Sequence, residues 1–291
     1  MTTNAGSSKQ PEIDFKVKKF DMNMVGDNKV ILFIGKRGTG KSTLVLDYLY
    51  HNRDFPCGTV ISPTDEFNET YKPHVPSIFV YDEYTPELVE KFLSRQRIMV
   101  KRTLKEREYK DMDPRAFLIF DDCLYDNKSW INDRNIKWIF MNGRHGKITF
   151  IITMQYLLGI PPGLRTQVDY LFICKETKMN NKRKLFDHYA GMFPNFDMFN
   201  KVLTECTKDR GCLVIDNSTN SDKLEDQVFW YKAELHSKFR VCYDQFWKNN
   251  DVIDDEDESE TNNDYNNKIT KNKLDYNVMR QSTRSPSSYY S

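Results

Sequence analysis

The chain has no Cys-x-x-Cys pair, and its six cysteines (Cys57, Cys123, Cys174, Cys206, Cys212, Cys242) are scattered without metal-ligand spacing. That excludes a zinc ribbon, a dithiol redox motif and a disulfide scaffold; the thiols read as reduced core or surface groups. No apolar run reaches the roughly 18 residues needed to cross a bilayer. Met1 to Gln10 is small and polar rather than charged-then-apolar, so the chain is expected to be intracellular, neither secreted nor membrane-spanning. Charge of one sign is missing as well. The 43 Lys and Arg against 42 Asp and Glu leave a net charge of +1, so contact with nucleic acid must come from a local patch. Nothing repeats internally.

What is present is concentrated near the start. Gly35 to Ser42 reads Gly-Lys-Arg-Gly-Thr-Gly-Lys-Ser, a complete G-x-x-x-x-G-K-[ST] phosphate-binding loop. It follows a β-branched apolar run, Val30–Ile34, and precedes a helical pattern from Thr43 to His51. The whole loop, Gly35, Lys36, Arg37, Gly38, Thr39, Gly40, Lys41, Ser42 and Thr43, is the candidate nucleotide site. Its glycines let backbone N–H groups turn inward around a polyphosphate at a helix N-terminus. Lys41 is placed for the β- and γ-phosphates and Ser42 for Mg²⁺. ATP and Mg²⁺ are the implied cofactors.

Short β-rich runs alternate with helical patterns from about residue 29 to 247, which predicts an α/β domain on a mostly parallel sheet. The expected strands are Val30–Ile34, Thr59–Ser62, Ser77–Tyr81, Ala116–Phe120, Ile148–Thr153, Tyr170–Cys174, Cys212–Asp216 and Val228–Tyr231. Helices are expected after Thr85 with Pro86 at the first position, over Asp133–Asn142 with Gly143 as the stop, over Lys182–Ala190 and over Asp197–Lys208. Domain boundaries are drawn at 1–20 for a flexible arm, 21–248 for the ATPase domain and 249–291 for an acidic, polar tail. The tail's composition cannot offset chain entropy, so it is expected to be disordered.

The run Ala116–Phe120 ends in Asp121-Asp122, where this class needs an acid. Asp121 is the expected Mg²⁺ holder, and Asp122 the residue that polarises the attacking water. The next strand ends in Thr153-Met154-Gln155. Gln155 is the candidate γ-phosphate sensor of ATPases that insert an extra strand between loop strand and acid strand. Between the acid strand and residue 248 no Asn-Lys-x-Asp guanine motif follows, and the Leu-Ser-Gly-Gly-Gln motif of transporter ATPases is absent from the chain. Arg144 and Arg165, each beside the sensor strand and after a turn signal, are candidates to complete a neighbouring subunit's site; Arg37 is a third, acting in its own subunit. For DNA, the best local basic segment is Lys175–Lys184, expected to be a polar loop, with Lys178, Lys182, Arg183 and Lys184 on phosphates.

These pieces resemble the genome-packaging ATPases of poxviruses and giant DNA viruses, a branch of the FtsK–HerA superfamily. The resemblance rests on Phe33–Thr43, Phe117–Cys123, Asn142-Gly-Arg-His145, Ile151-Ile-Thr-Met-Gln-Tyr156 and Ile160-Pro-Pro-Gly-Leu-Arg165. It departs at Asp122, where many members carry Glu. It implies a P-loop NTPase of the additional-strand type that forms a homo-oligomeric ring. Such a motor translocates double-stranded DNA into a capsid through a capsid or portal-like vertex protein. It works in the host cytoplasm at the assembly site and in the virion. A DNA-transfer or end-processing motor of the same superfamily, and an ATP-dependent switch or scaffold that moves nothing, stay open at this point.

Overall fold

The computed structural model describes residues 16–123, 130–155 and 158–248. The tail over 249–291, the first fifteen residues of the expected arm, and Tyr156 lie outside the described residues. A nine-stranded sheet carries the fold in the order β1-β9-β8-β7-β2-β6-β5-β3-β4. The strands are β1 Lys18–Lys19, β2 Val30–Ile34, β3 Gly58–Ile61, β4 Val80–Tyr81, β5 Ala116–Phe120, β6 Ile148–Met154, β7 Tyr170–Ile173, β8 Cys212–Asp216 and β9 Val228–Tyr231. Among the described residues, five helices of two turns or more accompany it: α1 Lys41–His51, α2 Pro86–Lys105, α3 Arg134–Asn142, α4 Met179–Tyr189 and α5 Phe196–Cys206.

The central strands β2, β5 and β6 are buried at every position. Continuous apolar runs of this kind belong to parallel strands covered on both faces. Local signals fix the helix starts. Thr85 Oγ1 accepts from the Leu88 N–H at the head of α2, with Pro86 in the first turn, and the Asp133 side chain caps α3.

Several expectations change at this level. The sheet is mostly parallel, but β8 runs antiparallel to both β7 and β9; buried runs carry no sign of direction. Ser77–Phe79 forms a 3-10 turn, leaving only Val80–Tyr81 as strand, because the Phe79 N–H turns back onto the Pro76 carbonyl. Gly143 ends α3 yet continues as a 3-10 turn to Gly146. At the amino end, Lys18 and Lys19 pair with β9, and Phe20 is buried against Tyr170, Phe172, Phe229 and Tyr231. The last residues drawn as flexible arm therefore belong to the fold.

Gly58 lies directly opposite Phe117 across the β3–β5 pair, and a Cβ there would sit 2.2 Å from the Phe117 ring. Gly58→Ala is expected to destabilise the domain by about 2 kcal/mol through overpacking. Urea unfolding should show partial recovery when Phe117→Leu is added, since the shorter side chain vacates the contested space.

Candidate nucleotide site

The parallel register brings three strand ends level. Ile34 pairs with Met154 of β6 and Ile173 of β7, and Phe120 pairs with Ile152. The carboxyl ends of β2, β5 and β6 consequently deliver Gly35, Asp121 and Gln155 to one edge of the sheet. β6 lies between the phosphate-loop strand and the acid strand, which is the additional-strand arrangement expected from the residue order.

Gly38 and Gly40 hold φ of 76° and 97°, left-handed conformations that a side chain resists. Gly40 is also the N-cap of α1, and no side chain caps that end. The first-turn N–H groups are therefore available to an anion, favoured there by the helix dipole. Lys41 is almost fully buried, and its Nζ donates to the Lys36 carbonyl of its own loop at 3.2 Å. Lys36 reaches sideways: its Nζ lies 2.6 Å from Glu176 Oε1 and 3.1 Å from Thr177 Oγ1. Burial alone would raise the Glu176 pKa, but hydrogen bonds from Lys36, the Lys178 N–H and Asn181 hold its carboxyl below the ordinary value. Arg37 is exposed.

The acid pair is organised by Thr153. Its hydroxyl donates to Asp121 Oδ1 at 2.6 Å and accepts from the Asp122 N–H at 3.0 Å. Asp122 sits at φ 54°, a conformation that is costly for a non-glycine residue. Its carboxylate accepts from the Gln155 amide. The two acids thus diverge: Asp121 faces the phosphate loop, where Ser42 Oγ lies 3.4 Å from its Oδ2, and Asp122 faces Gln155.

The residues fit a magnesium ion. Ser42 and Asp121 are hard oxygen donors, the set Mg²⁺ takes. Burial raises the Asp121 pKa, opposed by the Thr153 and Tyr71 hydroxyls and by Lys41, so a divalent cation would relieve a desolvated carboxylate. The Tyr71 hydroxyl is buried and faces Asp121 and Ser42. Burial first, then Asp121, push its pKa well up, which keeps it a donor.

The remaining candidates are dispersed. Arg144 is exposed in the turn that precedes β6, at the amino edge, the full length of the strand from its own phosphate loop. Arg165 lies in a helical turn of the β6–β7 connection, one turn before the amino end of β7; its Nε donates to the Ile160 carbonyl at 2.7 Å and its guanidinium lies 5.6 Å from the Tyr189 ring centre. The basic segment is not a loop throughout: helix α4 begins at Met179, and Lys178 is its N-cap. Lys182 Nζ is bound to Asn200 and Thr204, and Arg183 stacks over Phe196 at 4.4 Å. Lys178 and Lys184 are exposed.

Three participants escaped the sequence reading. Thr153 was visible as a strand end, but its bridge between the acids needs β5 and β6 to be neighbours. Glu176 stood inside the basic segment, masked by its lysines. Tyr71 belongs to no motif and arrives from the connection between β3 and β4.

Comparison with known proteins found one matching family model, several relatives and several similar solved structures. The family model described as Poxvirus A32 protein matches residues 17–283. Protein L437 of Acanthamoeba polyphaga mimivirus is 44% identical over 220 residues, 75% of this chain and 78% of its own length. Protein 075L of Invertebrate iridescent virus 6 is 35% identical over 241 residues, 77% of this chain and 89% of its own. Among solved structures, the genome packaging NTPase B204 from Sulfolobus turreted icosahedral virus 2 in complex with AMPPCP aligns with 72% of this chain and 99% of its own. That alignment has 17% identity and a TM-score of 0.49.

Lys41→Ala is expected to lower ATP hydrolysis by about 10²-fold or more, by removing charge that opposes the developing phosphate charge. The nucleotide-free melting temperature should hardly move. Asp121→Asn should weaken Mg²⁺-dependent nucleotide binding, whereas Asp122→Asn should keep affinity and lose about 10²-fold in turnover. Fluorescent-nucleotide titration beside single-turnover hydrolysis separates the two; equal losses of affinity would reject the division of labour.

Proposed function

Because the chain belongs to the poxvirus A32 family, we propose that it is the ATP-hydrolysing motor that drives double-stranded DNA into a viral capsid. The observation that carries this reading is the placement of β6 between loop strand and acid strand, with Thr153 and Gln155 tied to Asp121 and Asp122. A side chain that touches both the γ-phosphate position and the water-positioning acid lets hydrolysis be sensed and timed, as a motor requires.

In this mechanism the loop N–H groups and Lys41 hold the polyphosphate of ATP. Ser42 and Asp121 would hold Mg²⁺, which neutralises charge on the β- and γ-oxygens when bound. Asp122 accepts a proton from the attacking water, and Gln155 orients both. Its contact with Gln155 keeps the Asp122 carboxylate aimed along one direction, and the constrained backbone at Asp122 preserves that aim. A neighbouring subunit of the ring supplies an arginine to the transition state. Arg144, in the turn before β6, and Arg165, in the connection from β6 to β7, are the two candidates for it.

Coupling to DNA runs through Lys36. In the ATP-bound state the γ-phosphate competes with Glu176 for the Lys36 ammonium, and Glu176 holds the head of α4 through the Thr177 and Lys178 N–H groups. Gain and loss of the phosphate would thus shift the helix that carries Lys178, Lys182, Arg183 and Lys184 against the DNA backbone. Contacts to phosphates alone suit a translocating protein, because they are independent of sequence. The capsid-vertex partner and the assembly site in the host cytoplasm follow from the same reading.

The primary test is ATP turnover with and without duplex DNA, together with the mass of the protein in ATP. Stimulation by DNA and a closed oligomer are expected; slow, DNA-indifferent turnover by a monomer would favour a switch. Replacing Lys178, Lys182, Arg183 and Lys184 by Ala together should flatten the salt dependence of duplex binding and abolish stimulation while keeping basal hydrolysis. Mixing Lys41→Ala with Arg165→Ala subunits, and separately with Arg144→Ala subunits, identifies the arginine that acts across the interface: hydrolysis recovers only in that mixture.

A further inference from the structure

A second constellation lies on α1, away from the phosphate loop. Asp47 is completely buried; its Oδ2 accepts from the Tyr231 hydroxyl at 2.6 Å. Its Oδ1 meets two imidazoles, with His236 Nε2 at 2.6 Å and His51 Nε2 at 3.7 Å. All three ligand atoms lie within 4.8 Å of one another, and no other group among the described residues brings three His, Cys, Asp or Glu donors together in this way. Asp47 and His51 stand one turn apart on α1, while His236 arrives from the segment after β9.

The hydrogen bonds around the cluster decide which ring nitrogens are free. Asn23 Nδ2 donates to Asp21 Oδ1 at 2.8 Å, which turns Asn23 Oδ1 toward His51 Nδ1 at 3.2 Å. Nδ1 of His51 therefore carries the proton in the neutral ring, and Nε2 points a lone pair toward the Asp47 oxygen. An acceptor nitrogen facing a carboxylate oxygen in this way can share a cation, a metal ion or a second proton, between them. The His236 ring is locked as well, stacked flat on Tyr50 with 3.5 Å between centroids and 5° between planes. Imidazoles oriented through their second nitrogen or by packing, beside a carboxylate fixed by another donor, are what a metal centre requires of its surroundings.

We propose that Asp47, His51 and His236 form a binding site for a divalent transition-metal ion, with Zn²⁺ as the natural occupant of two imidazole nitrogens and one carboxylate oxygen. Bonds of about 2.0–2.1 Å in a tetrahedral site imply ligand separations of roughly 3.3 Å. The observed separations of 2.6 and 3.7 Å bracket that value, so both rings reach it by small movements. The His51 and His236 side chains keep 25% and 11% of their surface exposed, against none for Asp47, leaving a path of entry and a fourth position for water. Occupied, the site joins the phosphate-loop helix to the chain after β9.

The experiment uses the full chain, stripped with chelator and kept free of nucleotide and Mg²⁺. Zn²⁺ uptake measured by equilibrium dialysis should saturate at one ion per chain. At about a hundredfold excess over Kd the melting temperature should rise by about 5 °C. Co²⁺ should give tetrahedral absorption bands without thiolate charge transfer, and the ring protons of two of the five histidines should shift. The double variant His51→Gln, His236→Gln keeps hydrogen-bonding groups beside Asp47 and should take up no zinc. Absence of stoichiometric uptake by the wild-type chain, a thiolate band, or undiminished uptake by the double variant each overturns the assignment. Should the variant fail to fold, the cobalt spectrum and histidine resonances of the wild-type chain decide it alone.

Discussion

The nucleotide edge depends on one hydroxyl. Thr153 donates a hydrogen bond to Asp121 and accepts one from the Asp122 N–H, so a single side chain fixes both the direction of the first carboxylate and the backbone turn that sends the second elsewhere. Without it, two adjacent acids at a strand end would share one environment, and like charges at close range would raise each other's proton affinity. The bridge exists only because β6 is hydrogen-bonded along β5 in a register that sets Phe120 against Ile152. A slip of one residue would turn the Thr153 side chain to the opposite face of the sheet. Register, therefore, sets the chemistry.

Much of this was legible in the chain. The phosphate loop is contiguous, so its glycines, lysine and serine are recognisable without knowledge of the fold. Val30–Ile34 and Ala116–Phe120 are uninterrupted apolar runs, which is how strands buried on both faces appear in sequence. Asp121 and Gln155 were legible as strand ends in a recognisable order. The unreadable parts were relations between distant segments. The reversed direction of β8 leaves no trace in a run such as Cys212–Asp216. Helix α4 starts at Met179, where Asn180 and Asn181 suggest a loop; Glu176, by accepting from the Lys178 N–H and the Asn181 amide, stabilises a start that propensity alone disfavours. The grouping of Asp47 with His236 spans 189 positions, and only the folded chain displays it.

Charge is handled locally. The chain is nearly neutral overall, yet Lys36 and Lys41 stand beside the loop, one drawn toward Glu176 and the other toward a backbone carbonyl. Both lysines are therefore held by partners that an incoming polyphosphate can outbid electrostatically. Lys41 exchanges a neutral oxygen for charged ones at little cost. Lys36 gives up a carboxylate, so its release leaves Glu176 to be resolvated or re-paired. In the proposed mechanism that asymmetry would give the two lysines different sensitivities to the charge on the nucleotide.

The strands that end the sheet, β1 and β4, are two residues each. A neighbouring copy seeking to extend the sheet would find a ladder too short to register against, and backbone pairing would contribute almost nothing to its affinity. In the proposed ring, contacts between copies would then be made by side chains and connecting segments, which can tilt and re-form without unzipping a β-ladder. An assembly joined in this manner can let each subunit change its angle to the next while every fold within it stays intact.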